Sequence, residues 1–190
     1  MVVVVLLFTG WWFVRNQLLY GDPFGWSTYQ TVFPGDLRQN PLQWNDVTDF
    51  FTVQFRSFWG VFGWMNVAPP PWFYVPPLAL GLLGLLGLAL MAVRRGSDRL
   101  SGSQLLGVTL LATSVAVQQL FLMALASMCN PSCYQGRYLF PVIAPLMLLA
   151  SLAITSLFPK RLEIAAISCV LLVLLGTAVF APFWVILPAY

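Results

Sequence analysis

Arg15, Arg56 and Arg137 each sit beside aromatic residues at the edge of an apolar run, and a guanidinium in that position can grip a phosphate with two parallel hydrogen bonds. Each could equally reach lipid headgroups from a helix end, so only their convergence would make a site. Of six acidic residues, four (Asp22, Asp36, Asp46 and Asp49) fall between Gly21 and Pro71. Histidine is absent from the whole sequence, which disfavours His-based triads and zinc hydrolases. Cys129 and Cys133 stand four positions apart in a short polar loop. A local disulfide and a pair of free thiols are both open there, whereas zinc would need more ligands than these two, and Cys169 lies inside an apolar run. No cofactor or metal is expected, and no catalytic residue can be named from this inventory alone.

The elements that position these side chains are membrane helices. The chain has 190 residues, 59% hydrophobic and only 8% charged, with a mean hydropathy of +0.83. A water-soluble domain carries about a quarter charged residues. Four uncharged or nearly uncharged runs reach the roughly 20 residues needed to cross a bilayer: Trp72 to Val93, Gln104 to Met128, Tyr138 to Phe158 and Leu162 to about Pro182. A fifth, Met1 to Val14, covers only about 21 Å as a helix, so it must borrow Arg15 to Tyr20 or have lost its beginning. It lacks the basic start and small-residue cleavage site of a signal peptide and is read as a retained span. The expected fold is all-α: a polytopic membrane helical bundle of about five transmembrane helices, residues 1–190 forming a single transmembrane domain, plus an external amphipathic interfacial helix.

Short loops rich in Lys and Arg stay on the cytoplasmic side. Arg94, Arg95 and Arg99 follow the second span, and Lys160 with Arg161 follows the fourth, so both loops are expected inside. The connections 21–71 and 129–137 then lie outside, with the N-terminus inside and the C-terminus outside. The formal charge of +3 is spread over few, scattered residues and does not suggest nucleic acid. No span carries an ionisable residue at its middle, which disfavours a pump or coupled transporter. Gly81, Gly84 and Gly87 give a smooth strip for close helix packing, and Thr109, Thr113, Ser114, Gln118, Gln119 and Ser127 read as hydrogen-bonding glue between helices.

Within the longer external connection, Tyr20-Gly21-Asp22-Pro23 reads as a turn. Asn45 or Asp46 can cap a helix in which Val47, Phe50, Phe51, Phe55, Phe58 and Phe62 share one face. Such a helix is either a lipid-facing lid over a cavity or a plug across the end of the bundle. In the shorter connection, Pro141 and Pro145 are expected to perturb the fourth span just beneath Arg137 and to open a pocket.

Three segments together resemble a known group. Trp12 to Pro23 is similar to the W-x-x-R-N-x-x-x-Y-G-D-P stretch of large bacterial membrane glycosyltransferases of the GT-C type. Arg56-Ser57-Phe58-Trp59-Gly60-Val61-Phe62-Gly63-Trp64 resembles the S-F-W-G-x-F-G-W segment of an uncharacterised family of bacterial polytopic proteins grouped with them. Gln135-Gly136-Arg137-Tyr138 followed by Pro141 resembles that family's Q-G-R-Y-x-x-P element. The resemblance implies the C-terminal portion of a multi-helix protein of the bacterial cytoplasmic membrane that handles polyprenyl-phosphate-linked sugars on the external face. It implies no activity for this chain alone, because the acidic external loop that activates the acceptor in those enzymes has no counterpart here. Carried over residue by residue, Arg15 and Arg137 become expected ligands of the carrier phosphate, with Trp59, Trp64 and Tyr138 lining an aromatic sugar or prenyl surface; Arg56 joins these candidate substrate-binding residues from its own boundary position. The competing expectation is a non-catalytic structural subunit packed in a larger membrane complex, for which short-looped helices and glycine-lined faces suffice. The expected partners are accordingly membrane lipids, a polyprenyl-phosphate sugar donor and other membrane subunits.

Overall fold

The computed structural model describes residues 2–63, 65–93 and 101–189, with the backbone alone for residues 2–6. Helix α1 (Val2–Tyr20) is 19 residues long and runs unbroken through Arg15, so the short opening run does extend into the polar residues that follow it. At 1.5 Å per residue that is roughly 28 Å of helix. It ends at Gly21, whose φ of 67° is the left-handed conformation a glycine adopts without strain. The turn beyond it is built by Asp22, whose carboxylate accepts hydrogen bonds from the backbone amides of Phe24 and Ser27 at 2.9 and 2.7 Å. This starts the short helix α2 (Trp26–Val32).

Helix α3 (Trp44–Gly60) begins slightly earlier than the Asn45 or Asp46 cap suggests. Gln43 is the cap, and Asp46, three residues on, closes a capping box by accepting from the Gln43 amide at 2.7 Å. Helix α4 (Val75–Val93) follows a 3₁₀ turn at Pro71–Tyr74, and α5 (Gly102–Ala126) is opened by a second capping box between Ser101 and Gln104. The fourth span starts as a 3₁₀ segment, Gly136–Val142, before becoming α6 (Ile143–Thr155), and α7 (Glu163–Ala181) completes the bundle. Pro141 lies inside the 3₁₀ segment. Pro145, contrary to expectation, falls in the first turn of α6, where a missing N–H costs the helix nothing.

Among the described residues, four helical stretches are long and apolar enough to cross a membrane: Pro71–Val93, Gly102–Ala126, Pro131–Thr155 and Lys160–Ala189. They coincide with the four clear apolar runs, and the fold is an all-α membrane-type bundle. Arg94, Arg95 and Arg99 lie outside the described residues, while Lys160 and Arg161 form the turn that opens α7. Helices α4 and α6 run parallel in close contact. A Cβ on Gly84 would touch Ala150, and one on Gly87 would overlap the Ala153 carbonyl. Two small-residue strips, Gly84/Gly87 and Ala150/Ala153, thus let the backbones meet. Gly81, one turn earlier, faces open space and takes no part.

The rest of the core caps one end of this bundle. Helix α3 lies across it with Phe50 wholly buried against Leu122, Ala126 and Tyr134. Most of its apolar face therefore meets protein, though Phe51 stays half exposed, and Thr48, Asp49, Thr52 and Arg56 are exposed on the other side. The packing sets this helix against protein over the end of the bundle.

Candidate functional site

The two motif-bearing connections meet at that end. Gly136 is pressed against α3 so tightly that a Cβ would overlap the Phe58 backbone nitrogen and the Gln54 carbonyl. Its N–H donates to Ser57 Oγ at 2.7 Å, and Ser57 in turn donates to the Val53 carbonyl at 2.5 Å. Only glycine permits this approach, and the approach decides where the next side chain, Arg137, projects. Beside it opens a cavity of about 240 Å³ walled by Ser57, Val61, Gly63 and Met65 from one motif region and by Gln135, Arg137 and Phe140 from the other. Met65 holds a φ of 68°, a left-handed conformation that costs a non-glycine residue about 1–2 kcal/mol. A tight pairing of Phe62 with Val67 through two backbone hydrogen bonds, 2.8 and 3.2 Å, fixes the turn that carries it.

Arg137 is exposed at the cavity and lies over the Tyr138 ring, its Cζ 5.3 Å from the centroid. The Tyr138 hydroxyl donates to the Ser132 carbonyl at 3.3 Å, which steadies the ring beneath the guanidinium. Gln118 donates to the Tyr138 carbonyl at 2.8 Å, and Gln119 donates to the buried Gln54 at 2.6 Å. Gln118 and Gln119 are therefore glue between helices, fastening the 3₁₀ segment and α3 to the bundle.

The six residues expected at a carrier site do not all gather here. Arg137 lines the cavity and Tyr138 adjoins it. Arg15 is exposed on α1 and is not part of the lining. Arg56 lies over the Tyr74 ring at 5.2 Å, and Trp59 packs half-buried into the cluster of Phe73, Tyr74 and Ala181. Trp64 is outside the described residues. Ser57 and Gln135 belong to the lining without having been singled out, although both stand within the two motifs that carried the resemblance.

Arg38, which sequence alone presents as one more loop cation, is the anchor of the outer segment. Its Nε donates to the Ala126 carbonyl at 2.9 Å, its guanidinium pairs with Asp46 at 2.9 Å, and its side chain is only 10% exposed. Around it, the Arg38 amide donates to the Met128 carbonyl, and Asn130 donates to the carbonyls of Asp36 and Gly35. Cys129 and Cys133 are joined in a disulfide that closes the loop receiving these bonds. The Gln43 amide, followed by the Arg38 guanidinium, holds the Asp46 carboxyl below the usual carboxylate range. Asp22 is likewise held low by the Ser27 and Phe24 amides, as suits a turn-former and not a proton acceptor. The Tyr29 hydroxyl donates to Asp36 at 2.7 Å, and burial followed by that bond pushes it up. Three of the four carboxylates between Gly21 and Pro71 are thus occupied in holding the segment together.

Comparison with family models, with curated proteins and with solved structures returns no match for this chain.

Proposed function

We propose that this chain forms the carrier-binding face of a glycosyltransferase-like membrane protein, one that handles polyprenyl-phosphate-linked sugars outside the bacterial cytoplasmic membrane. One observation carries the reading: two segments about eighty residues apart in sequence close on a single cavity, and a guanidinium stands in it among neutral polar groups. Arg137 would pair with the carrier phosphate, Gln135 and Ser57 would offer neutral hydrogen-bonding groups to the sugar, and Phe140 would meet the first apolar carbons. With Asp22, Asp36 and Asp46 engaged in the fold, the chain supplies binding more readily than acid–base chemistry.

The test is binding of a polyprenyl-phosphate sugar to the purified full chain in detergent. Arg137→Gln should weaken binding by at least about tenfold, the loss of one charge-assisted pair. Arg161→Gln, in the turn before α7, should leave it unchanged. Incubation of the chain alone with donor and acceptor should give no sugar transfer. Equal effects of the two arginine substitutions would remove the carrier site and leave the non-catalytic membrane subunit as the better reading.

A further inference from the structure

A second cavity, separate from that of Arg137, lies between the start of α4 and the later turns of α7. It measures about 300 Å³, and Trp72, Phe73, Pro76, Leu172, Gly176 and Phe180 line it. Its floor is open because residue 176 is a glycine: a Cβ there would meet nothing within 4 Å. The hydroxyl of Thr177, also in the lining, is already spent on the Leu174 carbonyl at 2.8 Å. The walls therefore ask for an apolar occupant. Both helices are membrane-spanning in length and composition, so the mouth of the crevice faces hydrocarbon. Trp72 packs edge-on against Phe180 with centroids 4.8 Å apart, and Trp184 stacks on Phe180 at 5.5 Å, giving the crevice a rigid aromatic rim.

At the same end, the residue after Phe73 is Tyr74, and Arg56 stands over its ring. The Tyr74 hydroxyl donates to the Gly60 carbonyl at 2.7 Å, which ties the C-terminal turn of α3, and with it Arg56, to the head of α4. Among the described residues Arg56 has no carboxylate within ion-pair distance. An exposed cation without a counter-ion, held over Tyr74 one residue from the crevice-lining Phe73, complements one class of molecule: an amphiphile with an anionic head and a hydrocarbon tail.

We propose that this crevice and Arg56 together hold one anionic glycerophospholipid, an acyl chain lying against Gly176 and the phosphate on the guanidinium. The site is independent of the carrier cavity and does not rest on the function proposed for it. The neutral surroundings of Arg56 offer no anion to a choline or ethanolamine headgroup, so a singly charged phosphatidylglycerol binds in preference to a zwitterionic lipid.

The experiment is native mass spectrometry of the full chain released from micelles containing equal phosphatidylglycerol and phosphatidylcholine. Wild type should retain one phosphatidylglycerol with a preference of about tenfold, the worth of one charge-assisted contact. Arg56→Gln should bring the two lipids to parity, and Arg56→Lys should restore part of the preference. Gly176→Leu should fill the crevice and abolish retention of both lipids, with helicity by circular dichroism matching wild type. Arg161→Gln, in the turn before α7 and away from both cavities, should leave retention unchanged. Equal retention of the two lipids by wild type, or wild-type retention by a helical Gly176→Leu protein, would overturn the proposal.

Discussion

The α4/α6 pair and the outer layer of this protein are assembled by opposite means. Between α4 and α6 the contact is backbone on backbone, made by what is missing: Gly84 and Gly87 bring no side chains to the seam they share with Ala150 and Ala153. Over the end of the bundle, segments distant in sequence are fastened one bond at a time. Arg38 reaches Ala126, Asn130 reaches Gly35, Gln119 reaches Gln54, and Gly136 reaches Ser57. In lipid there is no hydrophobic force between helices, so close packing has to do the work, whereas a polar layer facing water can be specified by hydrogen bonds. Close packing tolerates no added atom. Individual bonds can be lost one at a time.

The sharpest way to break this comparison is with alanine at glycines that differ only in their surroundings. Gly87→Ala should destabilise the protein by about 3 kcal/mol, because the new methyl lands on a backbone carbonyl that cannot swing aside. Gly136→Ala should cost a similar amount by forcing the 3₁₀ segment off α3. Gly81→Ala should instead gain about 1 kcal/mol of helix propensity, since its Cβ meets nothing. Unfolding in mixed micelles with increasing denaturing detergent ranks the three. Equal costs at Gly81 and Gly87 would show that the α4/α6 approach is looser than the geometry described.

Where the outer layer is held by side-chain bonds, the expected losses are smaller and local. Arg38→Ala should cost about 2 kcal/mol through the bond to Ala126, and hydrogen exchange should rise at residues 35–38 and 128–130 while α4 and α6 stay protected. Exchange rising uniformly would mean that the layer and the bundle unfold as one unit. Gln119→Leu should cost about 1 kcal/mol by leaving the Gln54 side-chain oxygen, like its amide nitrogen, buried without a partner. The double variant Gln54→Leu/Gln119→Leu should recover most of that, since replacing both partners leaves nothing unpaired. A double variant worse than either single one would give this pair a role beyond fastening.

The same division decided what could be read in the sequence. Span positions followed from apolar runs because burial in lipid acts on every residue of a run, and four of the five expected spans match the helical segments Val75–Val93, Gly102–Ala126, 136–155 and Glu163–Ala181 to within a few residues. Gly84 and Gly87 were legible as a packing strip, but nothing in the sequence separates them from Gly81, because helical phase alone does not say where a neighbour lies. The motif residues Ser57, Gly136 and Arg137 were visible as a pattern, and the cavity they form was not. Arg38 was missed for a related reason: one arginine in a polar loop looks like any other until the carbonyl it reaches, eighty-eight positions away, is known. Arg56 and Arg137 were indistinguishable as boundary arginines. Only three-dimensional packing sends one to Tyr74 and the other to the cavity.

Acidification probes the carboxylate ties of the outer layer and leaves the bundle alone. Asp46 is held below the usual carboxylate range, first by the Gln43 amide and then by Arg38, so its ionised form is favoured in the folded layer. A carboxyl whose folded value is depressed contributes stability that is fully present above its unfolded value, near about 4, and fades as pH falls through the lower folded value. Asp22, depressed by the Ser27 and Phe24 amides, carries the same sign. Exchange at Gly35 to Arg38 and at the first turn of α3 should therefore be independent of pH from about 7 to 5, after allowance for intrinsic rates, and should accelerate below about 4. The α4/α6 seam, built from Gly84, Gly87, Ala150 and Ala153, has nothing to titrate and should not respond. Asp46→Asn should flatten most of the acid response in the outer layer and leave the seam as it was. An acid response that survives in Asp46→Asn at the start of α3 would move the responsible group elsewhere and would separate the capping box from the Arg38 tie.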